Sequence, residues 1–177
     1  MEKNKIKPFW SWNDRLEKEE LVRQIELMKE SGIEGFFMHA RGGLKTEYMG
    51  DDWFDCIKAC MDKADELDME AWAYDENGWP SGFASGIVPK KGVDFQQKKL
   101  ETAILNKGDR LPENLLGLYR VSENGFESIN AAENDCFAVY YIVNPYYIDT
   151  FNPAAIKCFI NETHEKYYER FGNRFGS

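Results

Sequence analysis

Apolar and polar positions change period repeatedly along the chain, and each change marks an element. Lys7 to Asn13 reads as a short aromatic strand after a polar lead. The acids between Asp14 and Glu20 suit a helix N-terminus, where the macrodipole favours negative charge. Leu21, Val22, Ile25 and Met28 follow at helical spacing, and Gly32 ends the helix as a C′ residue. Ile33 to His39 is a second strand, apolar on both faces as in a covered parallel sheet, opening into the flexible Ala40, Arg41, Gly42 and Gly43. Asp51 or Asp52 caps a second helix, whose inward face runs through Trp53, Phe54, Ile57, Cys60, Met61, Ala64 and Leu67. Met69 to Tyr74 is the third strand. The order β-α-β-α-β with short joints predicts right-handed crossovers.

After Gly86 the period shortens. Phe95 to Leu105, Leu116 to Ser122, Phe126 to Asn130 and Cys136 to Val143 read as strands, with Asn124-Gly125 as a hairpin turn. Lys98, Lys99 and Glu101 give this region a solvated face. Tyr146 to Phe151 then reads as a fourth β/α strand. Asn152-Pro153 starts a helix as N-cap and N1, with Ile156, Phe159, Ile160, Tyr167 and Phe171 on its inner face and Gly172 closing it. The expected organisation is three β/α units over 1–90, an inserted antiparallel β subdomain over 91–144 and a fourth unit over 145–177.

Composition narrows the function. The 177 residues suit one domain, or one domain with a small appendage, and 43% hydrophobic residues suffice for a core. At 15% the aromatics exceed what packing needs, which points to ring stacking on a ligand or to a partner interface. Lys and Arg total 22 against 31 Asp and Glu, a net charge of −9, which argues against nucleic acid and anionic membranes as partners. Cys56 and Cys60 stand four apart on one helix face as small apolar residues, and Cys136 and Cys158 make no disulfide framework with them. A zinc site would want tighter cysteine pairs and more histidine than His39 and His164, so neither metal nor cofactor is expected. MEKNKIKPFW has no apolar leader and no run is long enough to span a bilayer, which leads to the expectation of a soluble cytoplasmic protein.

The densest chemistry is Glu70 to Gly86, EAWAYDENGWPSGFASG, where a strand breaks into a loop of acid, amide, indole and hydroxyl groups. Loops leaving the C-terminal ends of parallel strands line the ligand crevice. Four such ends would offer Trp12 and Asn13, then His39 and Arg41, then Asp75, Glu76 and Trp79, and last Asp149 and Asn152. Carboxylate, imidazole and amide beside indole rings suit a polyol, the polar groups meeting hydroxyls and the rings covering the C–H face. Each residue also has a plain structural reading: Trp79 as a plug, Asp75 as a turn cap, His39 as a satisfied core histidine, Arg41 in an ion pair, Asp149 fixing its loop. Asp75 and Glu76 are the candidate catalytic carboxyls, but neighbours on an extended stretch diverge and do not make a ready acid/base pair. There is no GxGxxG, Walker loop or GxSxG elbow, and His164-Glu165 lacks the second histidine of HExxH.

PFWSWND, MKESGIEGFFMHARGGL, YDENGWPSGFASG and IDTFNPAAIKCFINETHEKYYERFG, in this order, resemble the start of a bacterial glycoside hydrolase barrel. The group is that of the family 106 α-L-rhamnosidases and their uncharacterised relatives. The resemblance implies a (β/α)₈ barrel that cleaves glycosidic bonds with an acid and a base carboxylate. By motif it places Asn13, His39, Arg41, Asp75, Glu76 and Trp79 at or near the sugar. It also implies catalytic glutamates on strands after the fourth, beyond this chain. The expected fold is therefore α/β, a partial TIM-type barrel of four β/α strands with an antiparallel insertion. The expected function is the carbohydrate-binding N-terminal half of a glycoside hydrolase, inactive alone. The alternatives are a non-catalytic carbohydrate-binding or assembly module and a metal-dependent sugar isomerase-like barrel. Open strand edges lead to the further expectation of a homo-oligomer.

Overall fold

The structure, a computed structural model, describes residues 6–78 and 80–176. Its first layer is a parallel sheet of β1 (Phe9–Trp12), β2 (Gly35–Ala40) and β3 (Glu70–Asn77), in the order β1-β2-β3. Helices α1 (Lys18–Glu30) and α2 (Asp51–Glu66) connect these strands. Strand alternation sends Trp12, Phe36, Met38 and Ala40 to one face, where they bury against Leu21 and Ile25 of α1 and Trp53, Phe54 and Ile57 of α2. Acids in the first turn of each helix, Glu19 and Glu20 in α1 and Asp51 and Asp52 in α2, favour its N-terminus. Gly50, ahead of the two acids, is the N-cap of α2. Gly32 takes φ +81°, as its place after α1 requires.

The second layer is an antiparallel sheet of β4 (Gln96–Leu105), β5 (Leu115–Ser122), β6 (Gly125–Ile129) and β7 (Cys136–Ile148), in the order β4-β7-β5-β6. The hairpin lies where Asn124-Gly125 placed it, but Ser122 pairs with Gly125 and only the glycine takes a positive φ, +114°. The chain continues as α3 (Pro153–Glu162) and α4 (His164–Phe171). Asn152 caps α3, its Oδ1 accepting from the Ala154 N–H at 2.9 Å. The single helix expected here breaks at Thr163, whose backbone leaves helical geometry and whose hydroxyl donates to the Phe159 carbonyl at 2.7 Å. Tyr167 and Phe171 then carry α4 onto the core of the first layer.

This architecture overturns the partial barrel. Among the described residues there are a three-stranded parallel sheet, a separate four-stranded antiparallel sheet and four α-helices, not four successive β/α units. The decisive segment is Tyr146 to Phe151. Tyr146 to Ile148 complete β7 and pair toward β4, with Ile148 opposite Gln96. Asp149 is bound there too, its N–H donating to the Phe95 carbonyl at 2.9 Å and its carboxylate pairing with Lys98 at 3.0 Å. With Ile148 laddered to β4 and Asp149 bonded to Phe95, this stretch runs in the antiparallel sheet and not beside β3.

Candidate functional site

The C-terminal ends of β1, β2 and β3 stand side by side, and their exit loops are tied together. Gly43 lies so close to β1's exit that a side chain there would come within 2.8 Å of the Asn13 carbonyl oxygen. Lys45 pairs with Asp14 at 2.7 Å, and the Leu16 N–H donates to the Thr46 hydroxyl at 2.9 Å. The loop after β3 turns on left-handed residues, Gly82, Ala84, Ser85 and Gly86. Ala84 and Ser85 each carry a strain on the order of 1 kcal/mol or more. Asn77 Nδ2 donates to Ser85 Oγ at 3.2 Å and steadies the turn.

His39 ends β2 on the sheet face opposite the helices, 7% exposed, with its ring 4.3 Å from that of Tyr74 and 5.6 Å from Phe9. Burial pushes its imidazole below the ordinary range, and the Arg41 charge adds to this. Arg41 is exposed and makes no ion pair with a described residue. Glu76 is 3% exposed; burial raises its carboxyl above the ordinary range and the Asp75 charge adds to that, while the Ser81 N–H and Arg41 oppose it. Asp75 Oδ2 accepts from Ser81 Oγ at 2.9 Å and lies 3.9 Å from His164 Nε2. The two acids thus share the Ser81 turn, Glu76 through its N–H and Asp75 through its hydroxyl, but Glu76 is buried and Asp75 only half-buried.

A band of rings extends from this end along the same sheet face. Phe9 stacks on Phe37 with centroids 5.0 Å apart, Phe37 lies 5.6 Å from Trp72, and Phe9 meets Tyr74 edge-on at 5.3 Å. Lys7 sits 5.0 Å over the Trp72 ring. Phe9 and Trp72 are exposed, so the band is a surface rather than a second core.

The structure gathers His39, Arg41, Asp75 and Glu76, with exposed Asn13 on the adjoining loop. It does not bring the other predicted residues to them. Trp12 is buried at 2% exposure, edge-on to Trp10 and Trp53, and so belongs to the core under the sheet. Asp149 and Asn152 serve the second layer: Asp149 accepts from the Phe151 N–H at 3.0 Å, and Asn152 Nδ2 donates to the Asp94 carbonyl at 2.7 Å. Trp79 lies outside the described residues. Sequence reasoning missed Tyr74, Ser81 and His164 as members of the cluster. Tyr74 was legible as a polar-tipped ring one position before Asp75, but nothing in the order of residues brings His164 to Asp75. It also missed Tyr48, buried with its hydroxyl unpartnered among the described residues and its phenol raised by burial, with the Asp75 and Glu76 charges among the further causes.

No group of three or more His, Cys, Asp or Glu among the described residues is arranged to hold a metal. No helix among the described residues is long and apolar enough to cross a membrane. No family model matches the chain, and no curated protein matches it. Among solved structures, the chain is similar to a rhamnosidase from Novosphingobium sp. PP1Y, at 23% identity over 64% of this chain and with a TM-score of 0.39. The match spans 11% of that much longer protein.

Proposed function

We propose that the chain binds a neutral carbohydrate at the C-terminal end of its parallel sheet, as the sugar-holding part of a glycoside hydrolase-like protein. The observation that carries this reading is the His39–Tyr74 ring pair, 4.3 Å apart, with Arg41 and the buried Glu76 beside it and the Phe9–Phe37–Trp72 band running from it. Rings take the C–H face of a sugar, while an imidazole, a guanidinium and a carboxyl held toward its protonated form take hydroxyls as donors and acceptors. The net charge of −9 disfavours phosphorylated or carboxylated ligands. Glycosidic hydrolysis needs two carboxyl groups facing each other across the bond, roughly 5–9.5 Å apart. Asp75 and Glu76 are neighbours that both meet Ser81 rather than facing each other across a gap, so the cluster supports binding and a single proton donor, not a complete acid/base pair.

Titration with L-rhamnose, followed by tryptophan fluorescence, tests the reading. A saturable change is expected, and Tyr74→Ala should weaken it by about ten-fold or more with the circular dichroism unchanged, a ring contact being worth roughly 1–3 kcal/mol. Equal binding by Tyr74→Ala, or no response from the unsubstituted chain to L-rhamnose or other neutral sugars, would overturn it. The chain should also show no turnover of aryl glycosides. Turnover that disappears in Glu76→Gln would reassign this carboxyl as catalytic.

A further inference from the structure

The outer edge of β3 is not paired with any strand among the described residues. The Glu70 N–H donates to the Glu34 carbonyl on the β2 side at 2.9 Å. Alternation along a parallel strand therefore turns the N–H and C=O of Ala71 and Ala73 outward. Unpaired edges are normally blunted by lysine, proline or a covering element. Here the outward positions carry the two smallest side chains of the strand, and Ala73 is exposed.

Two cavities follow one another along this edge, of about 370 and 390 Å³, with Ala73, Tyr167 and Phe175 lining both. The first is apolar at its base, reaching Ile57, Met61 and Phe171. The second ends in carboxylates, Asp75 and Glu165, beside His164. Their far wall is α4 and the segment after it, both held firmly. Trp53 Nε1 donates to the Tyr167 hydroxyl at 3.2 Å, and Arg174 bonds Asp62 at 2.8 Å and Asp65 at 2.5 Å. The eight residues of β3 span roughly 26 Å at ~3.3 Å each. Together these make a slot along the outward backbone groups of β3.

We propose that this slot docks an extended peptide segment of another protein. The segment pairs with the β3 edge, sets an apolar side chain against Met61 and Phe171, and points a basic side chain at Asp75 and Glu165. Main-chain pairing supplies affinity and the alternate side-chain cavities supply selectivity, the mode of β-strand addition. Charge decides the occupant. The acidic end of the slot and the net charge of −9 attract a basic segment. They repel a second copy of this chain. Antiparallel self-pairing that sets the outward Ala73 opposite itself brings Glu70 against Glu76.

The test uses the full chain and a fluorescein-labelled octapeptide of alternating valine and threonine ending in lysine, read by anisotropy. Ala73→Pro removes an outward N–H, and edge strands tolerate proline there. It should weaken binding by at least about ten-fold. Glu165→Lys, on the exposed side of α4, should weaken the lysine-ended probe and strengthen a glutamate-ended one, and it decides the matter if Ala73→Pro fails to fold. Hydrogen exchange should show the Ala73 amide protected when the probe is bound. No binding by the unsubstituted chain, binding indifferent to both substitutions, or a dimer in light scattering that Ala73→Pro dissolves would each overturn the proposal. The L-rhamnose titration is run alongside, so sugar binding and peptide binding fail or succeed separately.

Discussion

The two sheets solve the same problem differently. The parallel sheet covers one face with α1 and α2 and fills the interface with rings: Trp53 lies edge-on to Trp12 at 5.1 Å and to Tyr48 at 5.1 Å, all three buried. The antiparallel sheet buries the small cluster Leu105, Leu118, Cys136 and Ala138 on one side, and Ile148 at the end of β7 in a second one. Its other face leaves Leu100, Ile104, Val121 and Phe126 exposed. Chemistry follows the same division. Parallel strands end together, so their exit loops converge, and His39, Arg41, Asp75 and Glu76 gather at one rim. Antiparallel strands send successive ends to opposite rims, and their charges settle into surface pairs such as Arg120 with Glu127 at 3.1 Å. Strand direction, more than composition, places the cluster.

The largest effect that sharpens this contrast is in the ring core. Trp53→Ala should cost about 3–5 kcal/mol in chemical denaturation, because it opens a cavity among rings that cannot collapse and releases Tyr167 of α4. A loss below about 1 kcal/mol would mean the parallel layer is no better packed than the antiparallel one. Next comes the joint between the layers. Gly82 takes φ +96° and a side chain there would overlap Ile148 of β7. Gly82→Ala should therefore lower stability by about 1–3 kcal/mol, and a neutral result would show that the two layers move apart freely.

A smaller effect is confined to pH. His39 is held below its ordinary 6.5, so on acidification the unfolded imidazole takes a proton before the folded one. Its contribution to stability is present above 6.5 and is lost as pH falls below that value. Glu76 is held above its ordinary 4.5, so its contribution is present below 4.5 and is lost as pH rises through the raised value. Melting temperature against pH should flatten below 6.5 in His39→Asn and above 4.5 in Glu76→Gln. Profiles that superimpose on that of the unsubstituted chain would remove both groups from a buried rim. The smallest expected change is in the open face of the second sheet. Phe126 is 70% exposed, and Phe126→Ala should shift stability by less than about 0.5 kcal/mol. A larger loss would show that this face is covered in solution.

Much of the first layer was legible because local order carried it. The spacing of Leu21, Ile25, Trp53, Ile57 and Cys60 predicts helices and their buried faces, and the run from Ile33 to His39, apolar on both faces, predicts a covered strand. The cluster was legible in part for the same reason: His39 and Arg41 lie at the C-terminal end of β2, and Asp75 and Glu76 near that of β3. Trp12 misled because a ring at a strand end reads the same whether it turns to solvent or to the helices, and the register with Ala40 sends it to the helices. Asp149 and Asn152 misled because their strand was assigned to the wrong sheet.

Sequence alone determined the periods: where the chain is helical, where it is extended, where glycine or Asn-Pro breaks it, and that its charge is negative. Those features depend on neighbours a few residues apart. Tertiary structure alone decided which strands share a sheet. Tyr146 to Ile148 satisfies a parallel or an antiparallel ladder equally well, and only its long-range pairing with β4, some fifty residues earlier, settles the choice. The same holds for His164 beside Asp75, 3.9 Å apart across most of the second layer's sequence. Backbone hydrogen bonds must be satisfied somewhere, but the residues that satisfy them carry no mark of their partner.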